Sequence, residues 1–190
     1  MNKLLLILFL SLPTLVSAQK NCDYAINEKD SSGTYKSTRE YLIYERVFGS
    51  SENYIFLTLA NVGGTPYLNF QLLQKNTDFI KTLCLGKNSK IYFQLENGKI
   101  ITLLHEDKDV CGNLYRNEEE KKNVRLLEGN FYFLKNTIEE LKKQPISILR
   151  VVYGTESVDY VIKKELNSEF LKQFFRPESF FMNYLHCIEN

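Results

Sequence analysis

Three observations predict an α+β fold, an antiparallel sheet with helices on one face and a helical C-terminus. Runs rich in Tyr, Ile, Val and Phe are separated by short turn signals, as in hairpin-built sheets. Two stretches, residues 67–104 and 129–163, both read strand, Asn-Thr cap, helix, strand, turn, strand. Apolar residues recur at helical spacing through residues 166–188.

The first 18 residues have the layout of a signal peptide. Lys3 supplies a positive start, residues 4–10 (LLLILFL) are unbroken apolar, and Pro13 ends the run. Val16, Ser17 and Ala18 then place small or slender side chains before a cut after Ala18. The run is far short of the ~20 residues a spanning helix needs, so no membrane anchor is expected. Cys22 does not directly follow the cut, which argues against lipid attachment. The expected product is residues 19–190, one soluble domain, secreted or periplasmic.

Residues 19–37 read as polar and turn-rich, with a turn at residues 30–33 (DSSG). Residues 38–48 fit a strand buried on both sides, although Ser37-x-x-Glu40 would also serve as a helix capping box. Strands follow at residues 53–60 and 67–73, joined through Gly63 and Gly64. Residues 75–85 place Phe79, Ile80 and Leu83 at helical spacing, with Gly86 as the stop. Asn97-Gly98 between residues 90–95 and 99–104 is a strong hairpin signal. Residues 105–123 form a charged stretch that reads as a long loop. Residues 138–143 read as a helix, and residues 146–153 and 158–163 as strands turning at Gly154. At the end, Leu166, Phe170, Leu171 and Phe174, then Phe181, Tyr184, Leu185 and Ile188, form an aromatic helical stripe. Such a stripe packs on a sheet or offers an oligomer interface. The likeness of 67–104 to 129–163 reads either as an internal repeat of two β-α-β-β units or as generic strand-then-cap chemistry.

Charge narrows the partners. The chain carries 24 Lys+Arg against 23 Asp+Glu, and loss of Lys3 with the leader leaves it formally neutral. No global field draws it to nucleic acid or to an anionic membrane. With 44% hydrophobic residues it is not a disordered chain. All four cysteines, Cys22, Cys84, Cys111 and Cys187, lie beyond the leader, and an even count in an exported chain implies two disulfides. Three connectivities exist; Cys84–Cys111 with Cys22–Cys187 is favoured, the second joining the chain ends.

Catalytic possibilities are few, because the chain has two histidines and no Trp. The densest cluster of polar side chains is His105, Glu106, Asp107 and Asp109. Its spacing matches neither a calcium loop nor H-E-x-x-H, so it reads as a charged loop without a metal. His186 adjoins Cys187, yet helix neighbours diverge by about 100°, and a disulfide would remove the nucleophile. No G-x-S-x-G elbow, phosphate loop or dinucleotide fingerprint is present, and no cofactor is expected. The sequence thus predicts an exported, bacterial-type binding module for a protein or small ligand, of the kind an inhibitor or immunity protein exemplifies. Its binding residues are expected in the 105–120 loop. The alternative is a secreted hydrolase using carboxylates, or His105 with Asp107 and Asp109.

Overall fold

The computed structural model describes residues 20–31 and 33–189, and the expected leader, residues 1–18, lies outside the described residues. The domain is 57% strand and 10% helix. The N-terminal part contains β1 (Tyr24–Asp30), β2 (Gly33–Thr38), β3 (Tyr41–Phe48), β4 (Ser51–Val62) and β5 (Thr65–Asn76). The middle contains β6 (Cys84–Leu85), β7 (Lys90–Leu95), β8 (Ile100–His105), β9 (Val110–Cys111), β10 (Asn113–Asn117) and β11 (Lys122–Phe133). After α1 (Thr137–Leu141) come β12 (Ile146–Val152), β13 (Ser157–Val161), β14 (Leu166–Ser168) and β15 (Gln173–Phe175). A 3-10 turn (Pro177–Ser179), α2 (Phe180–Tyr184) and a second 3-10 turn (Leu185–Ile188) complete the chain.

Eleven strands form one antiparallel sheet in the order β1-β2-β4-β5-β11-β8-β7-β12-β13, with β3 added beside β4 and β10 beside β11. The edge of β4 is shared: β2 pairs with its residues 60–62 and β3 with its residues 51–57. In the gap between them, the Thr38 hydroxyl accepts the Leu59 N–H at 3.0 Å, satisfying a buried donor that neither strand reaches. The β4–β5 hairpin turns through Gly63 and Gly64, both at positive φ (57° and 89°), the conformation that a two-residue type I′ turn requires. The sheet curls until the edge formed by β3 meets the edge strand β13, with the rings of Tyr44 and Tyr160 5.1 Å apart. Inside lies one core, in which Phe70, Phe93, Phe131, Phe180 and Phe181 are almost fully buried. Each such side chain contributes about 1.5–3 kcal/mol.

The α+β expectation is therefore corrected: no helical layer covers a sheet face. The helix expected at residues 75–85 is absent, because tertiary partners occupy the carbonyls it would need. Asn123 Nδ2 donates to Thr77 O and Asp78 O, and the buried Arg125 donates to Ile80 O and Gly112 O. The Leu83 and Cys84 carbonyls accept the N–H groups of Gly112 and Gly154. Ile80 and Leu83 are buried, but Phe79 is 74% exposed. The second expected helix shrinks to the single turn of α1, where Asn136 adopts the left-handed conformation (φ 67°) and makes no side-chain cap. Consequently only the second stretch keeps the order strand, helix, strand, strand, as β11, a one-turn α1, β12 and β13, and the two stretches do not match as a pair of β-α-β-β units.

The charged stretch 105–123 is not a long loop. Strand β8 pairs with only three residues of β11, and β10 takes the edge left free. Residues 166–174 form the β14–β15 hairpin instead of a helix, held where Ser168 Oγ and the Glu169 N–H both donate to the Glu45 carboxylate. In this C-terminal stretch helical turns begin at Pro177, and Phe180, Phe181, Leu185 and Ile188 face the core. In that part of the aromatic stripe Phe180, Phe181, Leu185 and Ile188 are buried, and Tyr184 is half-buried.

Cys22 is bonded to Cys187 and Cys84 to Cys111. The second bridge closes the two-stranded β6–β9 ladder, in which its cysteines are direct partners. The first ties β1 to the C-terminal segment, where Tyr24 also donates to the Cys187 carbonyl and Asn61 to that of Ile188. Two disulfides place the chain in an oxidising compartment, extracellular or periplasmic. Among the described residues, no helix is long and apolar enough to cross a membrane.

Candidate functional site

The outward face of β4, β5 and β11 carries the most organised group of polar side chains. Alternation along each strand turns Leu68, Phe70 and Leu72 into the core and Tyr67, Asn69, Gln71 and Leu73 outward. On β11 the same rule sends Leu127 and Phe131 inward, and Glu128, Asn130 and Tyr132 outward. Cross-strand register then aligns them in rows. Thr58 faces Asn69 and Asn69 faces Asn130; Phe56 faces Gln71 and Gln71 faces Glu128; Tyr67 faces Tyr132.

These side chains are hydrogen-bonded to one another. Asn69 Nδ2 donates to Glu128 Oε1 and to Asn130 Oδ1, both at 3.0 Å. Gln71 Nε2 donates to Glu40 Oε1 at 3.0 Å and to Asn69 Oδ1 at 3.3 Å. Asn130 Nδ2 reaches Glu106 Oε1 at 3.4 Å. A continuous band of amides and carboxylates thus runs from Glu40 at one wall to Glu106 at the other.

Walls make the band a groove. The β1–β2 arm stands along one side with Ala25, Ser37 and Thr38, enclosing a cavity of about 280 Å³ over Asn69 and Asn130. The β14–β15 hairpin places Phe170 and Leu171 beside Phe56, Leu73 and Leu126, around an apolar end of about 630 Å³. At the far end Glu106, Lys108 and Asn113 border a cavity of about 310 Å³. The three spaces share Asn69, Gln71, Leu126, Glu128 and Asn130 along their borders, so they form one depression. Phe170 is fixed as a wall: its ring lies 4.6 Å from that of Tyr54, and Lys75 Nζ sits 5.0 Å above it. Tyr67 and Tyr132, with ring centroids 6.4 Å apart, border the polar end. Burial raises the Tyr67 phenol above its usual range, with Tyr132 and Glu106 adding to the effect, so it stays an uncharged donor and acceptor.

The expected cluster is divided by the strand it sits on. Glu106 enters the groove, where its N–H also donates to the Asn130 carbonyl at 3.0 Å. His105, one residue earlier on β8, points inward; it is 6% exposed, and its ring stacks 5.0 Å from Phe131. Both ring nitrogens are buried without a hydrogen-bond partner. Burial lowers its pKa below the ordinary value, against the pull of Glu106 and Asp109, so the core holds a neutral imidazole. Asp107 is at the surface beside Lys87 at 3.3 Å. Asp109 lies against Gly86, where a Cβ would come within 2.6 Å of Oδ1. His105, Asp107 and Asp109 therefore share no surface, and the triad imagined for a hydrolase does not assemble. His186 lies 3.3 Å from Cys22 Sγ, in contact with the disulfide.

Sequence reasoning missed the amide band. Its signal was the choice of side chain at outward strand positions: Asn69, Gln71 and Asn130 stand where solvated faces ordinarily carry Lys, Thr or Glu. Among the described residues, the groove carboxylates do not converge on a cation-sized point, and the one cluster with such spacing is Cys22, His186 and Cys187, whose thiols are in the disulfide. Comparison with known protein families, with curated proteins and with solved structures finds no match.

Proposed function

We propose that the chain is an exported, non-enzymatic binding module that holds its ligand in the groove across β4, β5 and β11. The observation that carries this reading is the hydrogen-bonded band Glu40–Gln71–Asn69–Asn130–Glu106 on a rigid sheet floor between two walls. Central strands of a paired sheet hold side chains in fixed register, which is what a recognition surface needs. Binding is favoured over catalysis by the placement of the reactive groups. His105 is turned into the core, and all four cysteines are in disulfides.

The test is a titration of the 15N-labelled, disulfide-bonded chain with fractions of the growth medium of its host. Chemical-shift changes are expected at the side-chain amides of Asn69, Gln71 and Asn130. Replacing residues 106–108 by Gly-Ser should weaken the same response. Shifts confined to another surface, or no shift with any fraction, would overturn the assignment. Turnover of a substrate that is lost in Glu128→Gln would make the groove a catalytic site instead.

A further inference from the structure

We infer that the ligand class is a neutral oligosaccharide, an inference that rests on the groove being the binding site. Four features of the groove lead there. The first concerns what the floor cannot do. Each floor strand is paired on both edges: β4 by β2 and β3 on one side and β5 on the other, β5 by β4 and β11, and β11 by β5 and by β8 with β10. The β11 edge is open only over residues 127–130, between β10 and β8, and there the Asn130 carbonyl already accepts the Glu106 N–H, so strand addition has little backbone to use. Recognition falls chiefly to side chains.

The second feature is the kind of side chain. Asn69, Gln71 and Asn130 each present an N–H₂ and a C=O, beside the acceptors of Glu40, Glu106 and Glu128. A sugar hydroxyl is at once donor and acceptor. A vicinal pair of hydroxyls satisfies an amide and a carboxylate together, replacing the side-chain bonds within the band one for one. The third feature is the pair of apolar flanks, Tyr67 with Tyr132 at one end and Leu73, Leu126 and Phe170 at the other. The C–H faces of pyranose rings pack on such surfaces, while a tyrosine hydroxyl remains available as a polar handle.

The fourth feature is charge and length. Three carboxylates against Arg39 and Lys108 repel phosphorylated or sulfated chains, and the dispersed carboxylates do not form a cation site among the described residues. The row Thr58–Asn69–Asn130–Glu106 crosses three inter-strand spacings, about 14 Å. That length accommodates several sugar units and exceeds a monosaccharide.

The experiment uses the intact disulfide-bonded chain, 15N-labelled, titrated at millimolar concentration with four probes. They are β-1,4-linked glucose, α-1,4-linked glucose and β-1,4-linked N-acetylglucosamine hexasaccharides, and a lysine-rich decapeptide. At least one hexasaccharide should shift the Asn69, Gln71 and Asn130 side-chain amides. Asn130→Ala and Gln71→Ala should each weaken it about five- to tenfold, as expected for a lost hydrogen bond to a desolvated partner. Tyr132→Ala should weaken it as well. Val161→Ser, on the exposed edge strand β13, should not. The variant spectra report directly whether each chain is folded. No shift with any hexasaccharide, or shifts at the groove that Asn130→Ala leaves unchanged, would overturn the saccharide assignment. Groove shifts with the decapeptide alone would also overturn it while leaving the groove as the binding site. Hexasaccharide shifts on another face would remove both.

Discussion

Gly129→Ala is expected to destabilise the domain, although Ala is ordinarily the better strand residue. Gly129 lies mid-β11 with its missing side chain directed into the core, between the inward residues Leu127 and Phe131. A Cβ there would stand 2.5 Å from Leu85 Cδ1 and 2.8 Å from His105 Nε2. Neither neighbour can withdraw freely. Leu85 is 1% exposed and follows a disulfide-bonded cysteine; the His105 ring rests on Phe131. Overpacking of this kind costs about 1–3 kcal/mol. Relief of glycine's unfolded-state entropy returns about 0.5–1 kcal/mol. Taken at the middle of both ranges the net loss is about 1 kcal/mol, or roughly 2–4 °C in Tm for a domain of this size. Urea and thermal unfolding followed by circular dichroism measure it, and the m-value should stay constant. His105→Ala made in the same chain should recover part of the loss, giving a coupling of at least about 0.5 kcal/mol in a double-mutant cycle. A Gly129→Ala chain as stable as the parent, or a cycle without coupling, would refute the close-packing argument. Because Glu128 and Asn130 flank Gly129 on the groove side, the variant should also shift the Asn130 side-chain amide.

Stability should fall in mild acid. His105 has a lowered pKa in the fold, so the unfolded chain binds the extra proton; its contribution is complete above the unfolded value near 6.5 and declines as pH drops below it. Thermal melts across that range should show the decline, and His105→Phe should flatten it. Tyr153 and Tyr160 share a buried hydroxyl–hydroxyl bond of 2.9 Å. Tyr153→Phe should cost about 1–2 kcal/mol by orphaning its partner, whereas the double Phe variant should cost less than the two single losses combined in chemical denaturation. The disulfides close loops of 27 and 165 residues. Loop entropy assigns them about 3.5 and 5 kcal/mol, so replacing Cys22 and Cys187 by Ser should lower the denaturation midpoint more than replacing Cys84 and Cys111.

How much of this could be read from the chain depended on which residues carried their own instructions. Gly63-Gly64 and Asn97-Gly98 dictate tight turns locally, and both hairpins occur where the sequence places them. The four cysteines allow three pairings, and the favoured one is present. Helical spacing misled at residues 75–85 and 166–174, because three or four apolar residues over ten positions fit either period. There, distant residues decide. Asn123 and Arg125 claim the carbonyls of the first segment, and Glu45 fixes the turn of the second. The likeness between residues 69–77 and 130–137 has a different origin from the cap chemistry it suggested. The leading strands of the two stretches are antiparallel partners, with Asn69 directly opposite Asn130 and both half-buried on the same outward face. Strands that share a face and a register need the same alternation of amide and aromatic, and that shared demand is legible in sequence only as similarity. Of the expected binding loop, Glu106 alone among the four named residues reached the groove, since strand alternation sends His105 the opposite way.

The position of the groove follows from how the chain ends are used. A central strand pair with a polar outward face is common, and by itself is a solvated surface. Here that face is bordered by the arm β1–β2 and by the hairpin β14–β15, contributed from opposite ends of the chain. Both depend on tertiary anchors. The arm is held by Cys22–Cys187 and by the Lys36 and Tyr24 contacts to the last residues. The hairpin is held by Glu45 and by packing of Leu166 and Phe175 on Leu42, Tyr54 and Phe56. Neither wall is required to cover the main core, which Phe180, Phe181 and Leu185 already seal. The outer strand β1 of the arm is exposed over most of its length, and the hairpin buries Leu166 and Phe175 while leaving Phe170 and Phe174 outward, so the two add only a small second cluster of apolar burial. What they do add is a boundary to the amide band, and that is the physical reason for reading the band as a site.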